Sequence, residues 1–438
     1  MQRMIGSLGM ALAVAWQPLL MADPVAVSES GRRAQAPEVA VGPDGSVHVV
    51  WLDKGVVGTA DKLGAVMAGG RHSHQSFANL MYAHSGDGGQ SFSQPVRVNP
   101  TDGEVWGFSI SKAAVAAGPD GSVHIMYPIN TTSSTTGLAV ASSAYTRSVD
   151  GGLSFAAPQV LNSDPGEDLS SIVSGGLSQA QVFGSLAVTA DGGVYAFWLD
   201  TRDMNAADML SSLYMRASHD HGQGFEAERE LFATDSCPCC QITTTVDENG
   251  AVYVSSRQVS ADKVRTPVVT VSRDGGATFG PRVSTGGAPW QLDGCPLKAN
   301  ALAAAGGHLY SLVHNGAEEP PGLLFARSTD GGASFEAAVK IHPEADVSDS
   351  PSLAATGQRV FAIWHAKEGG PRRIYYRVST DAGEGFGALR HLDIPPGSVG
   401  YPEAAMLPDG SAIVVWQHDE RVMSMRVDAG AGEPQSAP

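Results

Sequence analysis

The stretch Ser272–Phe279 reads SRDGGATF, and variants of it recur along the chain with the pattern Ser-x-Asp-x-Gly-x-(Ser/Thr/Gly)-Phe. The Asp carboxylate can accept backbone N–H groups of its own turn, and the shared Gly allows a positive φ there. The Phe is a large apolar anchor that can pack beneath neighbouring strands. The six copies are Ser85–Phe92, Ser148–Phe155, Ser218–Phe225, Ser272–Phe279, Ser328–Phe335 and Ser379–Phe386. This repeat predicts a recurring turn in an all-β fold.

A second repeat lies between these copies and consists of an apolar strand, a glycine turn and another apolar strand. Four copies are clear, at Val39–Trp51, Val115–Tyr127, Leu186–Trp198 and Ala404–Trp416, and three are weaker, at Ile242–Val254, Ala301–Val313 and Leu353–Trp364. Asp-Gly or Asn-Gly between apolar runs predicts a β-hairpin. Each octapeptide is followed by a short outer strand. We therefore predict a seven-bladed β-propeller of four-stranded antiparallel blades, with a six-bladed propeller as the alternative.

The last repeat is incomplete, because the chain supplies only three of its strands, the third at Val422–Val427. The segment Pro24–Ser28 (PVAVS) is similar to the outer strand at Pro95–Asn99 (PVRVN). We therefore expect the N-terminal strand to complete the last blade, so that no edge of the ring stays open. The propeller is expected to be a single domain over residues 23–438.

The N-terminus has the pattern of a signal peptide over residues 1–22. Arg3 precedes the mostly apolar stretch Met4–Met21, and cleavage is expected near Ala22. The stretch is short and contains Pro18, which argues against a membrane-embedded segment. We therefore expect a periplasmic or secreted protein. The net charge of −17 argues against a nucleic-acid partner, because an acidic surface repels phosphates.

All four cysteines precede neighbouring inner strands: Cys237, Cys239 and Cys240 form the segment CPCC, and Cys295 lies in GCP. Both segments are expected at the funnel face, where propellers usually bind ligands. Structural disulfides are one interpretation. A bond between adjacent residues is strained, so Cys295 would join Cys239 or Cys240 and the other would join Cys237. A thiolate site for copper or zinc is the second interpretation, and a redox-active dithiol is the third.

Polar side chains are also expected at the funnel face. Histidines that follow second strands could assist a metal site: His314, His365 and His418. The candidates for catalysis on a glycan are Asp53, Arg202, Arg257 and Tyr401. A solvated polar rim is the ordinary alternative for all of them.

The octapeptides resemble the Asp box of the sialidase, or BNR-repeat, superfamily. The resemblance implies a propeller, but it implies less about activity, because Asp boxes also occur in non-enzymatic propellers. Sialidases have six blades, bind the sugar carboxylate with three arginines, and use Tyr, Glu and Asp in catalysis. Their Arg-Ile-Pro motif is absent here, where Arg32–Glu38 reads RRAQAPE. Tyr401 and Asp53 match the positions of a nucleophile and an acid only approximately.

The two cysteine segments resemble a subgroup of bacterial sialidase-like proteins without clear sialidase motifs. We therefore expect a binding protein whose cysteine site takes a metal or a protein partner. The alternative is an exo-glycosidase of the sialidase type that acts on glycans.

Overall fold

The computed structural model describes residues 23–55, 77–132, 134, 139–163, 179–204, 208–317 and 321–429. Every regular element in these ranges is a β-strand. Within them there is accordingly no helix long and apolar enough to cross a membrane. The expected signal peptide, residues 1–22, lies outside the described residues.

The strands are short, and most follow one another closely along the chain. The first ten are β1 (Val25–Ala26), β2 (Ala34–Val41), β3 (Val47–Asp53), β4 (Phe77–Ser85), β5 (Val96–Arg97), β6 (Val105–Trp106), β7 (Ala114–Ala117), β8 (Val123–Thr132), β9 (Ala139–Ser148) and β10 (Gln159–Val160). The next ten are β11 (Gln179–Val188), β12 (Val194–Asp200), β13 (Ser211–Ser218), β14 (Arg229–Ser236), β15 (Thr243–Val246), β16 (Val252–Val259), β17 (Val264–Ser272), β18 (Val283–Ser284), β19 (Trp290–Gln291) and β20 (Asn300–Ala305). The last are β21 (His308–Asn315), β22 (Gly322–Ser328), β23 (Val339–Lys340), β24 (Val347–Thr356), β25 (Arg359–Lys367), β26 (Arg373–Ser379), β27 (Arg390–His391), β28 (Val399–Met406), β29 (Ala412–His418) and β30 (Arg421–Val427).

The strands pair as antiparallel neighbours in groups of four. The groups β20–β23 and β24–β27 are separate sheets, and β28, β29 and β30 form another with β1 on its outer edge. The groups β2–β5, β7–β10, β11–β14 and β15–β18 have the same internal order, and short edge pairings such as β4 with β6 link them. In the pairing of the N-terminal strand, Val25 lies opposite Ser424 in β30.

The second strand of each group is the most deeply buried. Strands β3 and β12 have every residue buried, and their sequences VHVVWLD and VYAFWLD are nearly continuous apolar runs. A strand reads this way when both of its faces are covered by neighbouring layers, since no position then faces water. The sheets therefore pack face to face, with the hydrophobic core between them.

The octapeptide turns have the predicted geometry. In Ser272–Phe279, Ser272 Oγ accepts the N–H of Gly276 (2.9 Å) and donates to Asp274 Oδ1 (2.8 Å), which in turn accepts the N–H of Thr278 (2.9 Å). Hydrogen bonds from Thr278 and Ser272 lower the pKa of Asp274 to about 2. Gly276 has a φ of +80°, which confirms the expected left-handed glycine.

The octapeptide phenylalanines connect neighbouring sheets. The ring of Phe155 meets Tyr82 of β4 edge-on at a centroid distance of 5.1 Å, and Phe225 meets Tyr145 of β9 at 4.8 Å. Each partner belongs to the preceding sheet. The repeat therefore anchors the contact between two sheets.

One central cavity is lined by residues of β2, β7, β11, β15, β20, β24 and β28, the inner strands of the groups. Inside it, Lys112 forms ion pairs with Glu38 (2.6 Å) and Glu403. We use the name funnel face for the end of the cavity where the chain enters these inner strands, for example at residues 237–242 and 292–299.

Candidate functional site

The four cysteines come together at the funnel face between β14, β16 and β20. Cys237 starts a turn after β14, and Pro238 occupies the second position, where its fixed φ favours such a turn. The backbone N–H of Cys237 donates to the carbonyl of Arg257 in β16 (2.9 Å) and holds the turn against that strand. The turn brings Cys237 and Cys240 onto the same side, with 3.1 Å between their Sγ atoms.

A disulfide joins Cys239 to Cys295, with 6.5 Å between the two Cα atoms and a separation of 56 positions in the sequence. The prediction that Cys295 pairs with Cys239 or Cys240 is therefore confirmed, and the partner is Cys239. The second bond expected from the disulfide interpretation is not formed, because Cys237 and Cys240 are free, buried thiols.

Arg257 provides a buried positive charge beside this thiol pair. Arg257 is 1% exposed. Its Nη2 donates to Asn300 Oδ1 (3.2 Å), and its guanidinium carbon lies 5.4 Å from the ring centre of Trp290. Its Nε and Nη1 atoms have no hydrogen-bond partner among the described residues. A buried cation requires a compensating negative group, and the sulfur atoms of the cysteine site are its neighbours.

The thiols of Cys237 and Cys240 differ in acidity. Burial favours the neutral form of Cys240, but the thiol of Cys237, the charge of Arg257 and the backbone N–H of Lys298 outweigh it and lower its pKa. The hydrogen bond to Cys240, together with burial, raises the pKa of Cys237. Cys240 is therefore the residue of the pair that more readily becomes a thiolate, and the thiol of Cys237 stabilises it by a hydrogen bond.

Three sulfur atoms lie in a compact group, and two of them, those of Cys239 and Cys295, are joined in the disulfide. The Sγ atoms of Cys237, Cys239 and Cys295 all lie within 4.8 Å of one another, and within the described ranges no histidine or carboxylate joins this group. The ring of His314 lies 5.4 Å from that of Trp290, on the side of Arg257. His418 lies at the rim beside Asp419, 3.9 Å from its carboxylate.

A second polar cluster lies near His314 at the same face. Lys298 Nζ pairs with Asp349 Oδ2 (2.5 Å), and Asp349 lies opposite His365 in the β24–β25 register. The ring of His365 faces Tyr401 edge-on at 6.4 Å. Burial lowers the pKa of His365 to about 4 and raises that of Tyr401. His365 is therefore neutral at pH 7, and its Nδ1 has no hydrogen-bond partner in the described part of the chain.

Asp53 and Arg202, two of the candidates for catalysis, are engaged in ion pairs of their own. Asp53 is buried and pairs with Arg32 (2.5 Å). Arg202 pairs with both Asp200 (2.6 Å) and Glu228 (2.7 Å). Arg257 and Tyr401 belong instead to the two clusters described above. The four candidates for catalysis therefore have different neighbours and do not form one group.

Sequence reasoning missed the backbone feature that presents several of these side chains. Ala36, Ser350 and Tyr401 have φ near +50° at β-bulges in β2, β24 and β28, and each precedes a proline. Such a bulge re-aims the side chains at the entrance of the strand. A residue before Pro within the first strand of these three hairpins would have been the available signal. Lys298, Asn300 and Asp349 carried no signal of their own.

Comparisons with solved structures place the fold among sialidase-like proteins. An ulvan lyase of polysaccharide lyase family PL25 is 12% identical, with a TM-score of 0.54, over 93% of this chain and 96% of that one. A protein of unknown function from Dyadobacter fermentans is 13% identical, with a TM-score of 0.53, over 94% and 99%. A Hadza microbial sialidase is 12% identical, with a TM-score of 0.50, over 80% and 73%. At these identities the likeness shows the fold alone.

Sequence comparison supplies the family. No curated protein matches the chain. The family model of the BNR repeat-like domain matches residues 107–414, which contain five of the octapeptide repeats and the whole cysteine cluster. This chain therefore belongs to the BNR repeat-like domain family.

Proposed function

We propose that this chain is a seven-bladed β-propeller that acts as a binding protein and holds Cu(I) between Cys237 and Cys240. The order of the inner strands supports the blade number. Strands β2, β7, β11, β15, β20, β24 and β28 each contact the next in this order, and β28 contacts β2. With β1 as the outer strand of the last blade, every blade has four strands. An experimental structure with six blades would overturn this part of the proposal.

The 3.1 Å separation of the Cys237 and Cys240 sulfur atoms is the observation that carries the copper proposal. The site is a buried pair of thiols in a turn that already holds both in one place. Thiolates are soft ligands that select Cu(I), which accepts low coordination numbers. The turn already places both thiols together, so binding does not have to order this segment, but it has to move the two sulfur atoms apart, because two nearly collinear Cu(I)–S bonds span more than 3.1 Å.

The charge of the site favours Cu(I) over Zn(II). Two thiolates and one Cu(I) carry a single negative charge, which the buried Arg257 can compensate. A structural Zn(II) site needs four protein ligands. Cys239 and Cys295 are bonded to each other, and no histidine or carboxylate of the described residues completes a set of four at this position.

Copper binding is tested by anaerobic titration of the protein with Cu(I) against the competing chelator bicinchoninate. We expect one Cu(I) per chain and at least a hundredfold loss of affinity in Cys240→Ser. Arg257→Met should lower the affinity about tenfold, or 1.4 kcal/mol, because the compensating charge is lost. His418→Ala at the rim is the matched control and should bind as the wild type does. Wild-type affinity in the double variant Cys237→Ser/Cys240→Ser would refute the copper site.

The location outside the cytoplasm is part of the same proposal. The pattern of residues 1–22 supports it, as does the disulfide between Cys239 and Cys295, since such bonds persist in oxidising compartments. N-terminal sequencing of the mature protein is expected to start at Asp23. A chain that retains residues 1–22 would contradict the expected cleavage.

A glycan-acting enzyme is the second candidate. The likeness of the fold to a sialidase and an ulvan lyase supports it, together with the cluster of His365, Tyr401, Asp349 and Lys298 at the funnel face. The ion pairs of Arg202 do not favour a sialidase, because an arginine that binds a sugar carboxylate must be available for it. Assays on sialosides and on uronate polysaccharides test this candidate, with Tyr401→Phe as the variant. Equally low activity in the wild type and in Tyr401→Phe would dismiss this candidate.

A further inference from the structure

The four sulfur atoms form a path from the surface to the interior of the cysteine site. Cys295 is exposed and is bonded to Cys239, which is 8% exposed. The Sγ of Cys237 lies 3.7 Å from that of Cys239, and the Sγ of Cys240 lies 3.1 Å beyond Cys237. Cys237 and Cys240 are each 1% exposed. A folded protein reductant can reach the first of these sulfur atoms, but not the last two.

From this path we infer that the protein exchanges disulfides with a dithiol protein through Cys295 and passes the electrons on to the buried Cys237/Cys240 pair. The activity goes beyond metal binding and does not depend on it. The partner class is a small reductant with two cysteines near each other, because complete transfer needs a second thiol to resolve the mixed disulfide.

The external step is an ordinary thiol–disulfide exchange. A partner thiolate attacks the Sγ of the exposed residue Cys295, a mixed disulfide forms, and the Cys239–Cys295 bond breaks with Cys239 leaving as a thiolate. The second partner thiol then attacks the mixed disulfide and releases Cys295. The partner becomes a disulfide, two electrons pass to this chain, and Cys239 and Cys295 become thiols with the two protons that the partner gave up.

The internal step carries these electrons inward when the buried pair is oxidised. The Cys239 thiolate attacks the Sγ of Cys237 in a Cys237–Cys240 disulfide, a Cys237–Cys239 bond forms, and Cys240 leaves as a thiolate. Cys295 then attacks Cys239, which restores the Cys239–Cys295 bond and releases Cys237. One disulfide and two thiols are present before and after, so no further oxidant or reductant is required. With the Cys239–Cys295 bond intact, the sulfurs of Cys237 and Cys239 lie 3.7 Å apart, slightly beyond the roughly 3–3.5 Å of a near-attack geometry, so a small movement of the turn brings them within reach.

The burial of the Cys237/Cys240 pair is the physical reason for this two-step transfer of electrons, which we call the relay. A buried pair of thiols that is oxidised would stay oxidised, because protein reductants act on contact. The exposed disulfide gives the reductant a place to react, and the short sulfur–sulfur distances connect it to the pair. A purely structural disulfide would not need a free thiol beside it.

The test uses the metal-free, full-length protein, oxidised to two disulfides, with reduced thioredoxin as the probe. Samples are quenched with acid, free thiols are alkylated, and the modified cysteines are mapped by mass spectrometry. We expect Cys237 and Cys240 to become free at least a hundredfold more slowly in Cys239→Ser/Cys295→Ser than in the wild type. Equal rates in the two proteins would overturn the relay.

A second measurement keeps all four cysteines and so does not depend on the stability of the variant. Thioredoxin that lacks its resolving cysteine traps the mixed disulfide, and we expect the trapped residue to be Cys295. Trapping at Cys237 or Cys240, or none at all, would overturn the relay. Because no metal is present, these results are independent of the copper titration. Copper binding without exchange would leave the Cys239–Cys295 bond as a structural link alone.

Discussion

His48 and His124 occupy equivalent positions in the second strands β3 and β8. Each ring bridges a serine of its turn and a tyrosine of the next strand: Nε2 contacts Ser122 (2.7 Å) and Nδ1 contacts Tyr145 (2.7 Å) in the case of His124. Burial lowers the pKa of both histidines to about 4. They are therefore structural, neutral histidines that connect a hairpin turn to the sheet.

These histidines make stability depend on pH. In the unfolded chain a histidine has a pKa near 6.5, so between pH 6.5 and about 4 the unfolded state binds more protons than the folded state. The free energy of unfolding should therefore fall as the pH falls, by about 2 kcal/mol per histidine between pH 6.5 and 5. Urea unfolding at both pH values measures it.

The variant His124→Asn should reduce this pH dependence by about that amount. His219 is about half exposed, so His219→Asn is the control and should leave the dependence unchanged. The comparison uses the change in the free energy of unfolding between the two pH values. The hydrogen bonds that the variant lacks at both pH values therefore cancel in this change. A pH dependence identical to that of the wild type in His124→Asn would contradict the prediction.

At the scale of the element, the octapeptide turn illustrates how local chemistry predicts structure. Its Ser, Asp and Gly interact within eight residues, so the pattern contains all the information about the turn. Its Phe interacts outside the turn, with an aromatic ring of the preceding sheet. That contact could not be predicted, because the pattern does not say which ring lies next to it.

Substitution of two adjacent glycines in one turn distinguishes the cost of backbone strain from the cost of this packing. Gly151 and Gly152 both have positive φ, but a Cβ at Gly151 meets open space while one at Gly152 would overlap the ring of Tyr82. Gly151→Ala should lower the free energy of unfolding by about 1 kcal/mol, the cost of the left-handed conformation. Gly152→Ala should lower it by about 3 kcal/mol, because overpacking adds to that strain.

Chemical denaturation of both variants, with the wild type as the reference, gives the comparison. The two substitutions are chemically identical and adjacent, so the difference between them reports on the contact with Tyr82. Equal losses of stability would show that the turn does not pack on the preceding sheet.

At the scale of the molecule, the first and the last strand of the described chain meet in one sheet. The N–H of Val27 donates to the carbonyl of Val422 (2.9 Å), and Ser28 Oγ accepts the N–H of Val422 (2.9 Å). The side chain of Val27 is buried against Val415 and Val422. The pairing therefore protects the outer edge of β30, which would otherwise present unpaired backbone groups.

Removal of residues 23–28 should lower the free energy of unfolding by about 3 kcal/mol. Burial of a valine contributes about 2 kcal/mol, and the backbone hydrogen bonds contribute the rest. Thermal unfolding measures the loss, and Glu29→Ala, at an exposed position next to this segment, is the control. A deletion variant that unfolds at the temperature of the wild type would show that the N-terminal strand does not stabilise the fold.

The fold was more predictable than the site. Strands, hairpins and Asp-box turns follow from residues close together in sequence, and the structure contains them as expected. The location of the cysteines at one face also followed, because both segments precede inner strands. Which sulfur bonds to which did not follow, since Cys239 and Cys240 are adjacent and only the path of the turn selects one of them.

The sequence by itself determined the all-β class, the repeating turn and the family, because each depends on short-range hydrogen bonds and on apolar periodicity. Only the tertiary structure decided the partners of the charged and sulfur-containing side chains. Cys239 with Cys295 and Lys298 with Asp349 are pairs from segments more than fifty residues apart. No local preference encodes such distances; they result from the packing of one sheet against the next.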